Sequence, residues 1–378
     1  MGLADLFSRI ADDRRAGNAL ESAAQTLAGA ASPVYTVGAM LNRLLHDTGI
    51  LSRERLDAPV ASIGNITLGG TGKTPFCLWL CDFLRREGYR PAVLTRGYGR
   101  ADEDALIVVH DGRRLRASTR EAGDEPVLLA RALGDVPVVA CASRHQGGLH
   151  ALKRLRADAL VLDDGFQHHR LHRNLDVVLV DSTQPLHRLR LFPRGSLREP
   201  VSTLSRAQLI VLTRWHQARG TRRQVLRAVR AAAPGVPVVR TRLAITGAIR
   251  LADRKAVDLE SLKGKSAVIL CAVGNPSSVR RSAEETGLRV LGMKPLKDHA
   301  RISKSTLLRY DSYRLQKGAD YLVVTEKDAV KLLELGSLPD EVLVLRARIE
   351  MLSAEEQETA ERLIRARMST RETKGLLG

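Results

Sequence analysis

Ala61-Ser62-Ile63-Gly64-Asn65-Ile66-Thr67-Leu68-Gly69-Gly70-Thr71-Gly72-Lys73-Thr74-Pro75 runs an apolar strand into a glycine-rich turn that closes on Gly-Lys-Thr. The stretch reads as a triphosphate cradle. Glycines let consecutive backbone N–H groups point at phosphate oxygens, and the following helix adds its positive N-terminal end. Lys73 is placed to reach the outer phosphates, and the Thr74 hydroxyl can ligate magnesium. On this reading Thr67, Leu68, Gly69, Gly70, Thr71, Gly72, Lys73 and Thr74 form the nucleotide-binding loop. The strict spacing asks for glycine at position 67, where this chain has Thr67. The flanks favour the cradle over a glycine-rich turn without a ligand: Val60 to Ile63 fits a buried strand, and Phe76 to Leu84 has apolar residues at helical spacing.

At 378 residues the chain can hold two domains, each with its own core. Sixty Lys and Arg against 42 Asp and Glu give a formal net charge of +18, an excess that attracts nucleotides, acidic lipid surfaces and nucleic acid alike. Aromatic residues make up only 3%, arginine is spread along the chain, and no nucleic-acid signature accompanies it, so no nucleic-acid partner is expected. Cys77, Cys81, Cys141 and Cys271 show no metal-type pairing; Cys77 and Cys81, one helical turn apart, fit small apolar packing in a reducing compartment. No secretory signal pattern and no apolar run long enough to span a bilayer is present, so a cytoplasmic protein is expected.

Short apolar runs alternate with helical stretches, which predicts an α/β architecture with a largely parallel sheet. Strands are expected at Val60 to Ile63, Pro91 to Thr95, Leu106 to Val109, Val136 to Ala140, Ala159 to Leu162, Leu175 to Val180 and Leu209 to Thr213. The pattern weakens into a connector around 242 to 262. A second α/β unit follows, with strands at Ala267 to Ala272, Tyr321 to Thr325 and Val342 to Leu345, and a charged helix from Ala354 to Met368. The expected divisions are an N-terminal helical region over 1–56, a core domain over 57–245, a smaller α/β domain over 246–350, and a helix and tail over 351–378. In the N-terminal region Leu3, Leu6, Phe7 and Ile10 share one face. A second segment has Ser32 as N-cap, Pro33 at the first helical position and Gly49 at its end, with Val34, Val37, Leu41, Leu44 and Leu45 on one stripe. That stripe either packs on the domain behind it, which periodicity favours, or rests on a membrane surface beside Arg43, Arg53 and Arg55.

The strand Ala159 to Leu162 delivers Asp163 and Asp164 at its C-terminal end, where a phosphate-loop enzyme keeps a magnesium-holding aspartate. His168, His169 and His172 downstream lack the acid or cysteine of a zinc site and fit surface or phosphate-facing histidines better. Thr95-Arg96-Gly97-Tyr98-Gly99-Arg100 should emerge on the rim of the phosphate loop, its arginines suited to a phosphate. Gly123-Asp124-Glu125-Pro126 opens a helix, with Asp124 read first as an N-cap. Arg194, Arg198 and Glu199 sit in a loop of substrate-binding or lid composition. Further on stand Gly274-Asn275-Pro276, the Asp298-His299 pair, and Thr325-Glu326-Lys327-Asp328-Ala329-Val330, a strand end that caps a helix.

These pieces, in this order, resemble the tetraacyldisaccharide 4'-kinase family, the lipid A 4'-kinases of Gram-negative bacteria. The resemblance covers roughly residues 33 to 335 and rests on Ser62 to Pro75, Arg96 to Gly99, Gly123 to Pro126, Asp163 to His168, Leu197 to Pro200, Asp298-His299 and Thr325 to Lys331. Thr67 in place of glycine is itself what the family looks like. The residues before Pro33 and the stretch Arg100 to Ser118 depart from it.

The resemblance implies a phosphate-loop NTPase-like α/β/α core with a second, smaller α/β/α domain and N-terminal amphipathic helices. It implies transfer of the γ-phosphate of ATP, with Mg2+, to the 4'-hydroxyl of a tetraacylated glucosamine disaccharide 1-phosphate, giving lipid IVA. Asp124 and His299 then match a catalytic Asp-His dyad, and Thr74, Asp163 and Asp164 match the ATP-magnesium site. Arg96, Gly97, Tyr98, Arg198 and Glu199 fall on the substrate side. A monomer, attached peripherally to the cytoplasmic face of the inner membrane through its N-terminal helices, is expected. Asp124 and His299 fall in different expected domains, so cleft closure is expected before transfer. A membrane-surface regulatory or partitioning ATPase without a lipid acceptor, and a phosphate-binding scaffold without turnover, are the competing readings of the phosphate loop.

Overall fold

A computed structural model describes residues 32, 38, 41, 44–46, 48–97, 100, 102–297, 300 and 302–369. Leu3, Leu6, Phe7, Ile10, Pro33, Val34, Val37, Arg43, Tyr98, Asp298 and His299 lie outside the described residues. Contacts divide the chain into two compact units. One comprises the described residues of 1–73, 158–241 and 351–378; the other comprises 74–157 and 242–350.

The first unit is built on parallel strands whose sequences are nearly continuous apolar runs, as sheets covered on both faces require. Strand β1 (Val60–Asn65) is buried throughout. Elsewhere in the chain stand β2 (Pro91–Thr95), β3 (Ile107–His110) and β4 (Val138–Ala140), and after them β5 (Ala159–Asp163), β6 (Leu175–Asp181) and β7 (Leu209–Thr213). β1 pairs in parallel with β5 on one side, Ile63 opposite Asp163, and with β6 on the other, Asn65 opposite Leu179. β6 pairs with β7, Asp181 opposite Thr213, and β7 with the start of β8 (Val238–Arg250). Parallel register therefore collects Asn65, Asp163, Asp181 and Thr213 at one rim, the C-terminal ends of the strands, where open α/β sheets bind ligands. One core cluster unites Ile66, Phe166, Val178, Ile210 and Leu212 with Val225 and Val229 of the helix Arg222–Ala232. The helix Ala354–Met368 buries Ala360, Ile364 and Met368; the Ser353 hydroxyl caps it by accepting from the Glu356 N–H.

In the second unit β2 pairs in parallel with β4, and β4 with β3 in antiparallel sense. The helices Lys73–Arg86, Asp124–Leu133 and Arg144–Arg154 belong to this part. The remainder carries β9 (Ala256–Val257), β10 (Ser266–Leu270), β11 (Arg289–Met293), β12 (Tyr321–Thr325) and β13 (Val342–Met351). β11, β10, β12 and β13 run in parallel pairs in that spatial order. Clusters of Val268, Leu270, Leu322, Val324 and Val342 on one face, and of Ala267, Ile269, Val323 and Leu343 on the other, reflect the two-residue period of the strands.

The α/β class holds, and most strand expectations match within a residue or two. The stretch 242–262 differs: it is no simple connector, because β8 continues to Arg250 and pairs with β9. Arginines hid it. Arg240 and Arg242 interrupt the apolar alternation, and each is matched by a glutamate, Glu356 at 2.6 Å and Glu350 at 2.6 Å. β11 was also missed, since a partly exposed strand at the end of the pairing order needs no apolar run.

Candidate active site

The loop after β1 has two glycines in left-handed backbone, Gly69 at φ +96° and Gly72 at φ +92°, a region closed to most side chains. Position 67 makes no such demand. Thr67 is 6% exposed and bridges Leu197 in antiparallel fashion, with the Leu68 N–H donating to the Ser196 carbonyl and the Arg198 N–H to the Ile66 carbonyl. A threonine suits this extended, paired position better than a glycine does. The helix Lys73–Arg86 starts directly behind Gly72 with no acidic side chain in its first turn, leaving its positive end for an anion. Thr74 is its second residue and is half-buried.

Lys73 Nζ lies 3.4 Å from Asn65 Oδ1, to which it donates, and 3.6 Å from Asp164 Oδ1. Asp164 takes a second cation, with Arg198 Nη1 at 2.9 and 3.0 Å from its two oxygens. Burial works against its charge, but Lys73 and Arg198 outweigh that, and the carboxyl is held below its usual range. Asp164 also has φ +56°, a conformation that aspartate tolerates better than most residues. Asp163, at the end of β5, is buried. Glu199 is buried too, its oxygens accepting from Gln167 Nε2 at 2.8 Å and Arg206 Nη2 at 2.6 Å.

In the second unit Asp124 is the first residue of its helix, and Gly123 is the N-cap. The cap role read from sequence gives way to an ion pair: Asp124 Oδ2 lies 3.1 Å from Lys331 Nζ. Arg96 is exposed, and Gly97, at φ +70°, has no room for a side chain, since a Cβ there would stand 2.7 Å from the Ala122 carbonyl oxygen. Arg100 does not face a ligand as its loop's composition suggested. Its guanidinium is buried and spent on the carbonyls of Glu103, Ala105 and Ala140.

A family model described as tetraacyldisaccharide-1-P 4'-kinase matches residues 24–368. The chain belongs to the tetraacyldisaccharide-1-P 4'-kinase family. It is 40% identical to the tetraacyldisaccharide 4'-kinase of Anaeromyxobacter dehalogenans over 86% of this chain and 88% of that one. It is 36% identical to the enzyme of Geobacter sulfurreducens over 88% and 91%. A crystal structure of LpxK from Aquifex aeolicus in complex with ATP is similar at a TM-score of 0.73 and 30% identity, covering 89% of this chain and 97% of that one. Membership makes this chain a kinase of lipid A biosynthesis acting on an acylated glucosamine disaccharide, as the resemblance implied, and the match extends at both ends beyond residues 33 to 335.

Within this 4'-kinase, structure adds residues that the sequence reading passed over. Asn65, Asp181, Thr213 and Arg214 support the glycine-rich loop. Thr213 Oγ1 donates to the Thr71 carbonyl at 2.9 Å, and Arg214 Nη2 donates to the Gly70 carbonyl at 2.7 Å while Nη1 pairs with Asp181. The signal was present as polar residues at or just beyond the ends of three expected strands. The histidines are scattered in role: His169 is buried with Nδ1 3.5 Å from Arg206 Nη1, and burial together with Arg55, Arg173 and Arg53 lowers the pKa of His172. Among the described residues no group of three or more His, Cys, Asp or Glu could hold a metal ion.

Proposed function

We propose that the chain transfers the γ-phosphate of ATP to the 4'-hydroxyl of a tetraacylated glucosamine disaccharide 1-phosphate, giving lipid IVA. Residues 67–74 hold the nucleotide. The observation that carries this reading is Lys73 held by Asn65 and Asp164 at the mouth of the glycine turn, beside Arg198. Two cations converge there on one carboxylate, and a polyanionic tail is the ligand chemistry they suit.

A sugar hydroxyl is a poor nucleophile, so its proton must be accepted as the bond to phosphorus forms. Asp124, with His299, takes that role; base catalysis of this kind contributes about 10² to 10⁴ in rate. Thr74, Asp163 and Asp164 offer only hard oxygen donors, and so few protein ligands suit magnesium, which keeps positions for phosphate oxygens and water. When bound, that ion neutralises charge on the transferring group. Binding of the acceptor is assigned to Arg96, Gly97, Tyr98, Arg198 and Glu199.

The substrate's acyl chains belong in a bilayer, and the N-terminal region serves as a peripheral membrane contact on the cytoplasmic face of the inner membrane. Leu41 and Leu44 of the amphipathic stripe are 53% and 54% exposed, and Ile50 is 71% exposed, which supports surface contact over packing. Among the described residues no helix is long and apolar enough to cross a membrane. The protein acts as a monomer.

Purified chain, radiolabelled ATP and a panel of acylated disaccharides separated by thin-layer chromatography test the activity. Label on the lipid is expected. Label released only as free phosphate would instead favour a membrane-surface ATPase.

A further inference from the structure

Lys331 is a buried lysine, 7% exposed, in the last turn of the helix Glu326–Leu332. Burying an ammonium is costly unless each of its three donors meets an oxygen. Two oxygens lie within hydrogen-bond distance of this one, and the charge of a third group stands just beyond. Nζ lies 3.1 Å from Asp124 Oδ2, donates to the Ala300 carbonyl at 2.9 Å, and stands 3.9 Å from Asp328 Oδ1.

The surroundings fix that ammonium. Asp328 is fully buried, and its other oxygen accepts from the Thr325 hydroxyl at 2.7 Å and the Ala272 N–H at 3.1 Å. Thr325 in turn caps the helix that carries Lys331, accepting from the Asp328 N–H. A parallel ion pair, Lys327 Nζ to Glu125 Oε1 at 3.7 Å, joins the same two helices one step along. Ala300, the remaining acceptor, directly follows His299 in sequence.

We propose that Lys331 is a positioning residue for phosphoryl transfer: its ammonium fixes the Asp124 carboxylate through Oδ2 and ties it to the chain at Ala300, next to His299. The proposal rests on the reading of Asp124 as the proton acceptor. With Oδ2 engaged by Lys331, the second carboxylate oxygen is the one left to meet the substrate hydroxyl, so the rotamer of the base is set before substrate arrives. Errors of about 1 Å in such positioning cost roughly 10²-fold in rate. No proton is transferred to or from Lys331 in this role, and the lysine does not touch the reacting atoms.

The test is a double-mutant cycle on the full-length enzyme, with kcat and KM measured for ATP and for the lipid acceptor. D124N is expected to lower kcat by about 10² or more. K331M is expected to lower kcat by about 10²-fold, with KM for ATP changed by less than about threefold. Because Lys331 acts through Asp124, the double variant D124N/K331M should be no slower than D124N alone. K331R, which keeps the cation, should recover most of the turnover that K331M loses. If K331M fails to fold, D328N/K331M, which removes the buried carboxylate left unpaired, replaces it in the cycle.

Wild-type kcat in D124N would overturn both the base reading and the role of Lys331. A slow D124N whose defect multiplies with that of K331M would overturn the Lys331 proposal alone, as would an unchanged kcat in K331M.

Discussion

Arg198 Nη1 stands 2.9 and 3.0 Å from the two carboxylate oxygens of Asp164, on the side chain that Lys73 also approaches at 3.6 Å. Two cations on one carboxylate lower its pKa in the folded state, although burial opposes them. A depressed folded pKa gives stability that is present above the unfolded value and is lost as pH falls through the folded one. The variant D164N isolates the charge, because asparagine tolerates the φ of +56° as well as aspartate does. Denaturant midpoints should therefore differ most between the two proteins near neutral pH and converge as pH falls through the lowered folded pKa of Asp164. A difference that stays constant with pH would show that the ion pairs add no stability.

Lys73 donates to Asn65 and faces Asp164; if residues 67–74 hold the nucleotide, its removal leaves that ligand without the cation at the loop's mouth. K73M is expected to weaken binding of a fluorescent ATP analogue and to lower transfer by about 10² to 10³. Its circular dichroism spectrum should match the parent's. Undiminished lipid labelling in this variant would remove the phosphate loop from the mechanism.

The Arg214 guanidinium joins Asp181 to the Gly70 carbonyl, and both side chains of the pair are largely buried. R214M strands a buried carboxylate and is expected to cost about 3 to 5 kcal/mol of unfolding free energy. D181N/R214M should be more stable than R214M alone, since the stranded charge is gone. Equal stability of the single and double variants would place the energy elsewhere.

Gly64 of β1 lies against Phe166, where an added Cβ would stand 2.4 Å from the phenylalanine Cβ and 2.8 Å from its nitrogen. Those atoms belong to backbone and side-chain root and cannot rotate away. G64A should lower stability by about 1 to 3 kcal/mol through overpacking. Gly220, with open space where its Cβ would be and no left-handed φ, is the control, and G220A should be close to neutral. Chemical denaturation of both variants reads the contrast.

Leu41 and Leu44 are more than half exposed. If they serve a lipid surface, L41S/L44S should reduce co-sedimentation with anionic phospholipid vesicles and raise KM for acceptor presented in vesicles, while leaving KM for ATP unchanged. Parent-level sedimentation would point away from this stripe as the membrane contact.

Much of the scaffold was legible because its signals are local. β5 and β7 announce themselves as apolar runs, the turn at Gly69 to Gly72 as glycine chemistry, and the helix Ala354–Met368 as a charged helical stretch. β8 was not legible at all, because its arginines are matched by glutamates that come to it from far along the chain. The same holds for Asp124, whose helix-start position suggested a cap until a lysine from another helix claimed its oxygen.

By itself the sequence determined most of the buried strands, where the glycine-rich turn lies and which carboxylates end the strands, because hydrophobic period and turn conformation are properties of neighbouring residues. Only the tertiary structure decided that Asp164 is shared by Lys73 and Arg198, that Arg214 supports Gly70, and that Lys331 meets Asp124. Each of these joins a charged side chain to a group distant in sequence. Parallel register and helix packing bring them within reach, and the pairing offsets the desolvation that burial imposes on them.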